Sequence, residues 1–297
     1  MSLRHLVLVY IICVVWGFNF IAVATGLREI PPFEFTILRF AMVLLVLLPF
    51  IKKPPAGQWR RLTVVALANG AAHFTLLFWA MNRASDVSSV AILLQTYVPM
   101  TTLLAVIVLK EHIGWRTVSA IVLAFSGVLV VSLEPEVFAH LDAVFLCLIT
   151  AFTLALGTML MRGLKGIDAF SFQGWTAAIS IPVLLPLMLI FEPQWLGTLS
   201  TISPLGWGAT AYSAIFASII GHGLLFFLVQ RYAVTSVTPH LLLAPILAVI
   251  FGVIIWGDQP GWRLIVGGCM VLSGVLVVAL RAKARTETPT KLPADLQ

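Results

Sequence analysis

The chain has 297 residues, of which 60% are hydrophobic and only 10% charged. Soluble domains carry roughly 25% charged residues, so a soluble fold is excluded and an integral membrane protein is expected. The net charge of +6 lies in short loops between apolar runs, which argues against a nucleic-acid-binding face.

A membrane-spanning helix needs about 20 mostly apolar residues. The first run, Leu6 to Leu27, follows Arg4 and contains Ala22-Val23-Ala24, in the manner of a cleavable leader. It is longer than the apolar region of such leaders, about 7–15 residues, so a first spanning helix is expected at Leu6–Thr25. Nine more stretches meet or approach the required length. They are Phe33–Phe50, Leu62–Met81, Val87–Leu109, Thr117–Leu133, Ala143–Met161, Ser171–Phe191, Trp207–Val229, Ser236–Trp256 and Leu264–Leu280. Connections are short except for Glu192–Gly206, and the polar tail 282–297 is expected to be disordered. Cys13, Cys147 and Cys269 are scattered in apolar runs without ligand spacing. They read as packing residues, with no disulfide, metal or cofactor implied.

With the N-terminus inside, the inner segments hold fourteen lysines and arginines, including Lys52, Lys53, Arg60 and Arg61. The outer segments hold three, Arg28, Arg83 and Arg263, while Arg39 alone lies within a span. Positive residues collect on the cytoplasmic side, so both termini are expected to be cytoplasmic, with the chain in the inner membrane.

Part of the chain occurs twice. Glu111 to Val131 reads EHIGWRTVSAIVLAFSGVLVV and Asp258 to Val278 reads DQPGWRLIVGGCMVLSGVLVV, an offset of 147 (258 − 111). Two identical blocks, Gly-Trp-Arg and Ser-Gly-Val-Leu-Val-Val, share one register, which points to duplication. Five spans separate equivalent points, so the second copy enters the membrane the opposite way round. The expected fold is an all-α membrane protein of ten transmembrane helices, built as two inverted-topology five-helix repeats. The repeats are expected at 1–134 and 135–281, an arrangement that gives a transporter two interconvertible faces around one site.

The sequence resembles the drug/metabolite transporter superfamily, specifically its EamA-type ten-helix exporters and their aromatic amino-acid exporter branch. The residues that carry the resemblance are Trp16-Gly17-Phe18-Asn19-Phe20, Pro31 followed by Arg39, Pro99, Glu111 and the Ser-Gly of helix five, with Pro245, Asp258 and Ser273-Gly274 in the second half. The likeness covers about residues 5–281. Asp258 replaces the more usual Glu, and the Trp-Gly-x-Asn-Phe motif has no clear counterpart early in the second half.

Polar groups inside a bilayer are costly and stand out as functional candidates. All twelve acids lie in loops or at span ends, which leaves an acid-based ion relay without an obvious carrier. His73 and His222 begin similar runs, His-Phe-Thr-Leu-Leu-Phe and His-Gly-Leu-Leu-Phe-Phe, at an offset of 149 (222 − 73). They are near-equivalent under the repeat, although a histidine in a span also serves simply to bond a helix carbonyl. Arg39 either snorkels toward Glu34 or Glu29 or faces a cavity and holds a carboxylate. Pro99 and Pro245 interrupt corresponding helices and free the carbonyls of Gln95 and Leu241. They are candidate hinges of a broken-helix binding site, or packing kinks. Gln95, Tyr97, Asn19 and the aromatics Trp16, Phe78, Trp79, Trp175 and Phe226 are candidate walls of a flat-sided pocket; Trp79 also fits an interfacial belt.

The expected activity is export of amino acids, aromatic or other neutral ones, or similar small metabolites by alternating access. The expected partners are that small-molecule substrate and the lipid bilayer, with no nucleic acid, and the chain is expected to be monomeric. Efflux of cationic drugs is disfavoured by the lack of a buried acid. An intramembrane enzyme is disfavoured because no His-Glu-x-x-His motif or paired acids occur, and a channel fits broken helices in inverted repeats less well.

Overall fold

The computed structural model describes residues 2–229, 231–232 and 234–287. Among the described residues ten helices are long and apolar enough to cross a membrane: α1 (Leu3–Gly26), α2 (Pro32–Phe50), α3 (Trp59–Arg83), α4 (Val87–Val108), α5 (Trp115–Ser132), α6 (Leu141–Met161), α7 (Ala169–Phe191), α8 (Pro204–Leu228), α9 (Pro239–Trp256) and α10 (Trp262–Ala282). Several begin earlier than hydropathy alone suggests, because local caps set their starts. Ser203 accepts from the Gly206 N–H and Pro204 takes the first turn of α8, a pairing that suits a helix start. Asp86 accepts from Ser89 N–H at 2.6 Å ahead of α4, and Asp168 accepts from Ser171 N–H at 2.9 Å ahead of α7. The long 192–206 connection contains a short helix, Trp195–Thr201. Of the expected tail, 288–297 lies outside the described residues.

The packing repeats with a shift of five helices. Helix α1 packs on α8 and α9, and α6 packs in the same way on α3 and α4. Helices α2 with α7, and α5 with α10, form pairs that are their own equivalents. The duplicated Ser-Gly blocks lie where α5 crosses α10. A Cβ added at Gly127 would stand 2.6 Å from the Gly267 carbonyl oxygen, and one at Gly274 would stand 2.5 Å from that of Ala120. Only residues without a side chain let the backbones approach so closely.

An even number of spans brings both ends of the bundle to one face, here called the terminal face. The other face is tied together by four carboxylates, each reaching a helix start in the opposite half. Glu29 accepts from the Ser203 N–H (2.8 Å) and hydroxyl (2.7 Å) ahead of α8. Glu192 accepts from the Phe33 and Glu34 N–H groups (2.9 and 2.8 Å) in α2. Asp258, 7% exposed, accepts from Val87 N–H (3.1 Å), Ser88 N–H (2.9 Å) and the Ser88 hydroxyl (2.6 Å) in α4. Glu134 accepts from Leu264 N–H at 3.2 Å in α10. Unpaired N–H groups and the helix dipole make each helix start a natural seat for an anion. Asp258 is delivered by a tight turn at Gly257, whose φ of +86° is a left-handed conformation open to glycine.

The terminal face is held differently. Glu111, the sequence counterpart of Asp258, is exposed and pairs with Arg162 at 3.1 Å, and Lys52 pairs with Asp168 at 3.5 Å. Exposed pairs of this kind contribute about 0–1 kcal/mol. The carboxylate clamps of the face opposite the termini are therefore the more buried of the two sets.

Candidate functional site

Three helices contain π-helical segments among the described residues. Residues Leu67–Ala72 of α3, Tyr212–Gly221 of α8 and Gly252–Trp256 of α9 are π-helical. The first two segments end directly before His73 and His222, so the near-equivalence of these residues in sequence extends to local structure. A π segment widens the helix and leaves carbonyls available to side chains, and such segments recur at functional sites. Here Ala217 O accepts from Trp16 Nε1 at 3.0 Å and lies 3.1 Å from His222 Nδ1. Ser213 O accepts from the Ser218 hydroxyl at 2.8 Å and from Arg39 Nε at 3.4 Å.

Arg39 is the centre of this arrangement. It is 2% exposed and does not snorkel to Glu34 or Glu29. Its Nη2 donates to the Ser218 hydroxyl at 2.7 Å, and its guanidinium carbon lies 3.7 Å from the centre of the Phe74 ring. Its Nη1 is buried without a hydrogen-bond partner. Among the described residues no carboxylate lies within ion-pair distance of it. A buried, unpaired charge costs several kcal/mol.

His73 packs on Phe74, whose ring faces the Arg39 guanidinium, and His222 faces Ala217 O, next to the Ser218 that Arg39 holds. His73 Nδ1 faces Thr150 O at 3.4 Å and His222 Nδ1 faces Ala217 O. A carbonyl only accepts, so each imidazole carries its proton on Nδ1 toward it, which leaves Nε2 as an acceptor. His73 is 5% exposed. His222 has exposed surface and lies six residues before the end of α8.

The sequence candidates fall into distinct places. The Trp16 ring lies 5.0 Å from that of His222. Asn19, one turn further along α1, has its side-chain oxygen buried without a partner. Phe78 is fully buried, edge-on to Phe35 at 5.1 Å, and its ring centre is 5.7 Å from the Arg39 guanidinium. Phe226 is partly buried one turn beyond His222. In α4 the helix is interrupted at Gln95 and Thr96, and in α9 at Leu242, each three or four residues before Pro99 or Pro245. The carbonyl freed by Pro99, that of Gln95, accepts from Val98 N–H at 3.1 Å. Gln95 and Tyr97 are both partly buried at this interruption.

Two aromatics lie away from the Arg39 cluster. Trp79 is near the opposite face, 6.1 Å from Phe33, which itself stacks on Phe191. Trp175 donates to Lys52 O at 2.9 Å and meets Trp59 edge-on at 4.7 Å, on the terminal face. Further polar groups were not singled out from the sequence. Asn69, Thr75, Thr150, Ser180 and Ser213 are buried, with side-chain oxygens lacking partners. Asn69, an amide within an apolar run, carried a signal; the hydroxyls are common in spans and did not. Glu34 lies at a span end, as read, but is 2% exposed with both oxygens unpaired.

The carboxylates outside the spans differ by environment. The Ser203 backbone N–H and hydroxyl hold Glu29 below the ordinary carboxylate range. Burial raises Glu192 despite its two backbone bonds, and burial likewise raises Asp86.

The signature of EamA-like transporters matches residues 3–133 and again 141–280, a unit per half. The chain belongs to the EamA-like transporter family. This EamA-like transporter is 27% identical over 286 residues to an Escherichia coli K12 protein named probable amino-acid metabolite efflux pump, covering 93% of this chain and 95% of that one. It is 24% identical over 241 residues to a probable terminal-alkyne amino-acid exporter of Streptantibioticus cattleyicolor, covering 79% and 78% of the two chains. A solved crystal structure shares its fold with a TM-score of 0.64 at 16% identity, over 97% of this chain and all of that one. Membership makes the protein a transporter and not an enzyme.

Proposed function

We propose that this EamA-like transporter exports amino acids or closely similar zwitterionic metabolites across the inner membrane by alternating access, with both termini cytoplasmic. The observation that carries the reading is Arg39, a buried guanidinium with a free Nη1 and no acidic partner among the described residues. A substrate carboxylate would complete it. The Nε2 atoms of His73 and His222 are acceptors suited to the substrate ammonium, and Phe74 and Trp16 offer aromatic faces to it. The buried cation works against a cationic drug as substrate. The names of the distant relatives agree with this class. An exposed His222 and a clamped opposite face suit a state loaded from the terminal side, which the Lys and Arg bias makes cytoplasmic.

Counterflow of amino acids in proteoliposomes tests the reading. Arg39→Gln should lower transport efficiency at least about 30-fold, the lower end of the 2–5 kcal/mol lost when one partner of a buried charge pair is removed. Arg39→Lys, which keeps the charge but not the fork, should recover only part of it. Unchanged transport by Arg39→Gln, or wild-type protein that moves another metabolite class and no amino acid, would overturn the proposal.

A further inference from the structure

A cavity lies apart from the Arg39 cluster, on the face opposite the termini. It encloses ≈ 320 Å³ between the ends of α1, α3 and α9 and the start of α4. That volume is at the small end of ligand pockets, about 300–1,000 Å³, and suits a single small metabolite. Its wall carries one cation, Arg28, and one anion, Asp86, with Trp256, Met81 and Val90 as apolar surface.

The two charges are not spent on each other. Arg28 is exposed and lies over Trp256, its guanidinium carbon 4.0 Å from the ring centre. Among the described residues no carboxylate is within ion-pair distance of it. Asp86 is 8% exposed and accepts from the Ser89 N–H and hydroxyl (2.6 and 3.0 Å) and the Ser85 hydroxyl (3.1 Å). None of these donors carries a charge. Asp258, at the same helix start, is close enough to repel it. The cavity thus combines a fork of free donors backed by an aromatic plate with a carboxylate that lacks a cation.

From this pairing we infer that the cavity is a zwitterion-binding vestibule for neutral α-amino acids, on the side to which the transporter releases its cargo. Arg28 takes the α-carboxylate in a planar two-bond contact. Asp86 takes the α-ammonium, and Trp256 with Met81 and Val90 receives the side chain. Both charges must be on one ligand, because either alone leaves the opposite group of the wall unpaired. The inference rests on the amino-acid reading for the ligand class, but it concerns different residues and a different face.

The test is direct binding to the full purified chain, read as the tryptophan fluorescence that is lost in Trp256→Phe. L-leucine is the zwitterion; isoamylamine lacks its carboxylate and 4-methylpentanoate lacks its ammonium. The expected result is a saturable Trp256 signal with L-leucine, at least tenfold weaker half-saturation in Arg28→Gln and in Asp86→Asn, and little response to either half-ligand. Asparagine retains the acceptor that caps α4, and Arg28 is exposed, so at least one variant keeps the fold. Absence of a Trp256 signal, an equal response to a half-ligand, or an unshifted Arg28→Gln overturns the vestibule. Leucine counterflow without that signal sinks the vestibule alone. The signal without any amino-acid counterflow sinks the transport reading and leaves the vestibule standing.

Discussion

Asp258→Asn is the sharpest probe of the clamped face. In the wild type one carboxylate oxygen, Oδ2, receives Val87 N–H, Ser88 N–H and the Ser88 hydroxyl. An asparagine must either turn its NH2 toward these donors or offer one neutral oxygen in place of a charged one. Losing one charge-assisted bond costs about 1.5–3 kcal/mol, and a buried N–H left unpaired adds about 1–3. Loss of a negative charge at a helix start adds roughly 0.3–1 kcal/mol. The lower ends of these ranges total about 3 kcal/mol, which corresponds to a shift of at least about 100-fold between conformations. The bonds join α4 to the segment after α9, so they exist only while this face is closed, and their loss favours the state open there. Val90, 1% exposed in the vestibule wall, reports it. In a Cys269→Ser background, a Val90→Cys thiol should react at least tenfold faster with an impermeant maleimide once Asp258→Asn is present. Glu111→Gln, whose wild-type carboxylate makes an exposed pair with Arg162, should change that rate less than twofold. Equal rates with and without Asp258→Asn would refute the clamp argument, as would equal effects of the two substitutions.

Two further outcomes follow from the same face and from its orientation. Cysteines at Ser200 and Ala56, both at exposed positions on opposite faces, should be labelled from outside sealed cells at 200 and not at 56; labelling at 56 reverses the assigned orientation. The clamps should also respond to pH in opposite senses. Glu192 is raised by burial, so the stability it contributes is full below the ordinary carboxylate value and is lost as pH rises through its raised one. Glu29 is lowered, so its contribution is present above the ordinary value and lost as pH falls through the lowered one. As pH rises above the ordinary carboxylate value, the melting temperature of Glu192→Gln should therefore decline less than that of wild type, whereas Glu29→Gln should decline as wild type does.

Much of the fold could be read from the chain because each spanning helix is a local fact, about 20 apolar residues, and because two blocks recur in register. The clamps could not. Glu29, Glu192, Asp258 and Glu134 look like ordinary loop acids, and their partners lie 130 to 174 residues away. Arg39, His73, His222 and Trp16 were legible as misplaced polar or aromatic groups, but their mutual arrangement depends on π segments that leave no mark in the sequence. Trp175 shows the limit from the other side: an aromatic in an apolar run suggests a pocket wall, yet its indole N–H is taken by a loop carbonyl. The vestibule was equally hidden, since Arg28 and Asp86 belong to separate connections and meet only through the folding of α1, α3 and α4.

The exchange of first helices between halves has a consequence for how the chain is made. Val9, Ile12 and Cys13 of α1 find their buried partners in Leu228, Val237 and Ala244, which the ribosome reaches more than two hundred residues later. At synthesis rates of about 5–20 residues per second, α1 waits in the membrane for roughly 10 to 50 seconds with that surface unmatched. The first five helices therefore cannot mature as a finished unit, despite being a complete copy of the repeat. Biogenesis of this protein is a problem of holding an early helix in reserve, and the aliphatic side chains and lone thiol on that α1 surface are compatible with lipid while it waits.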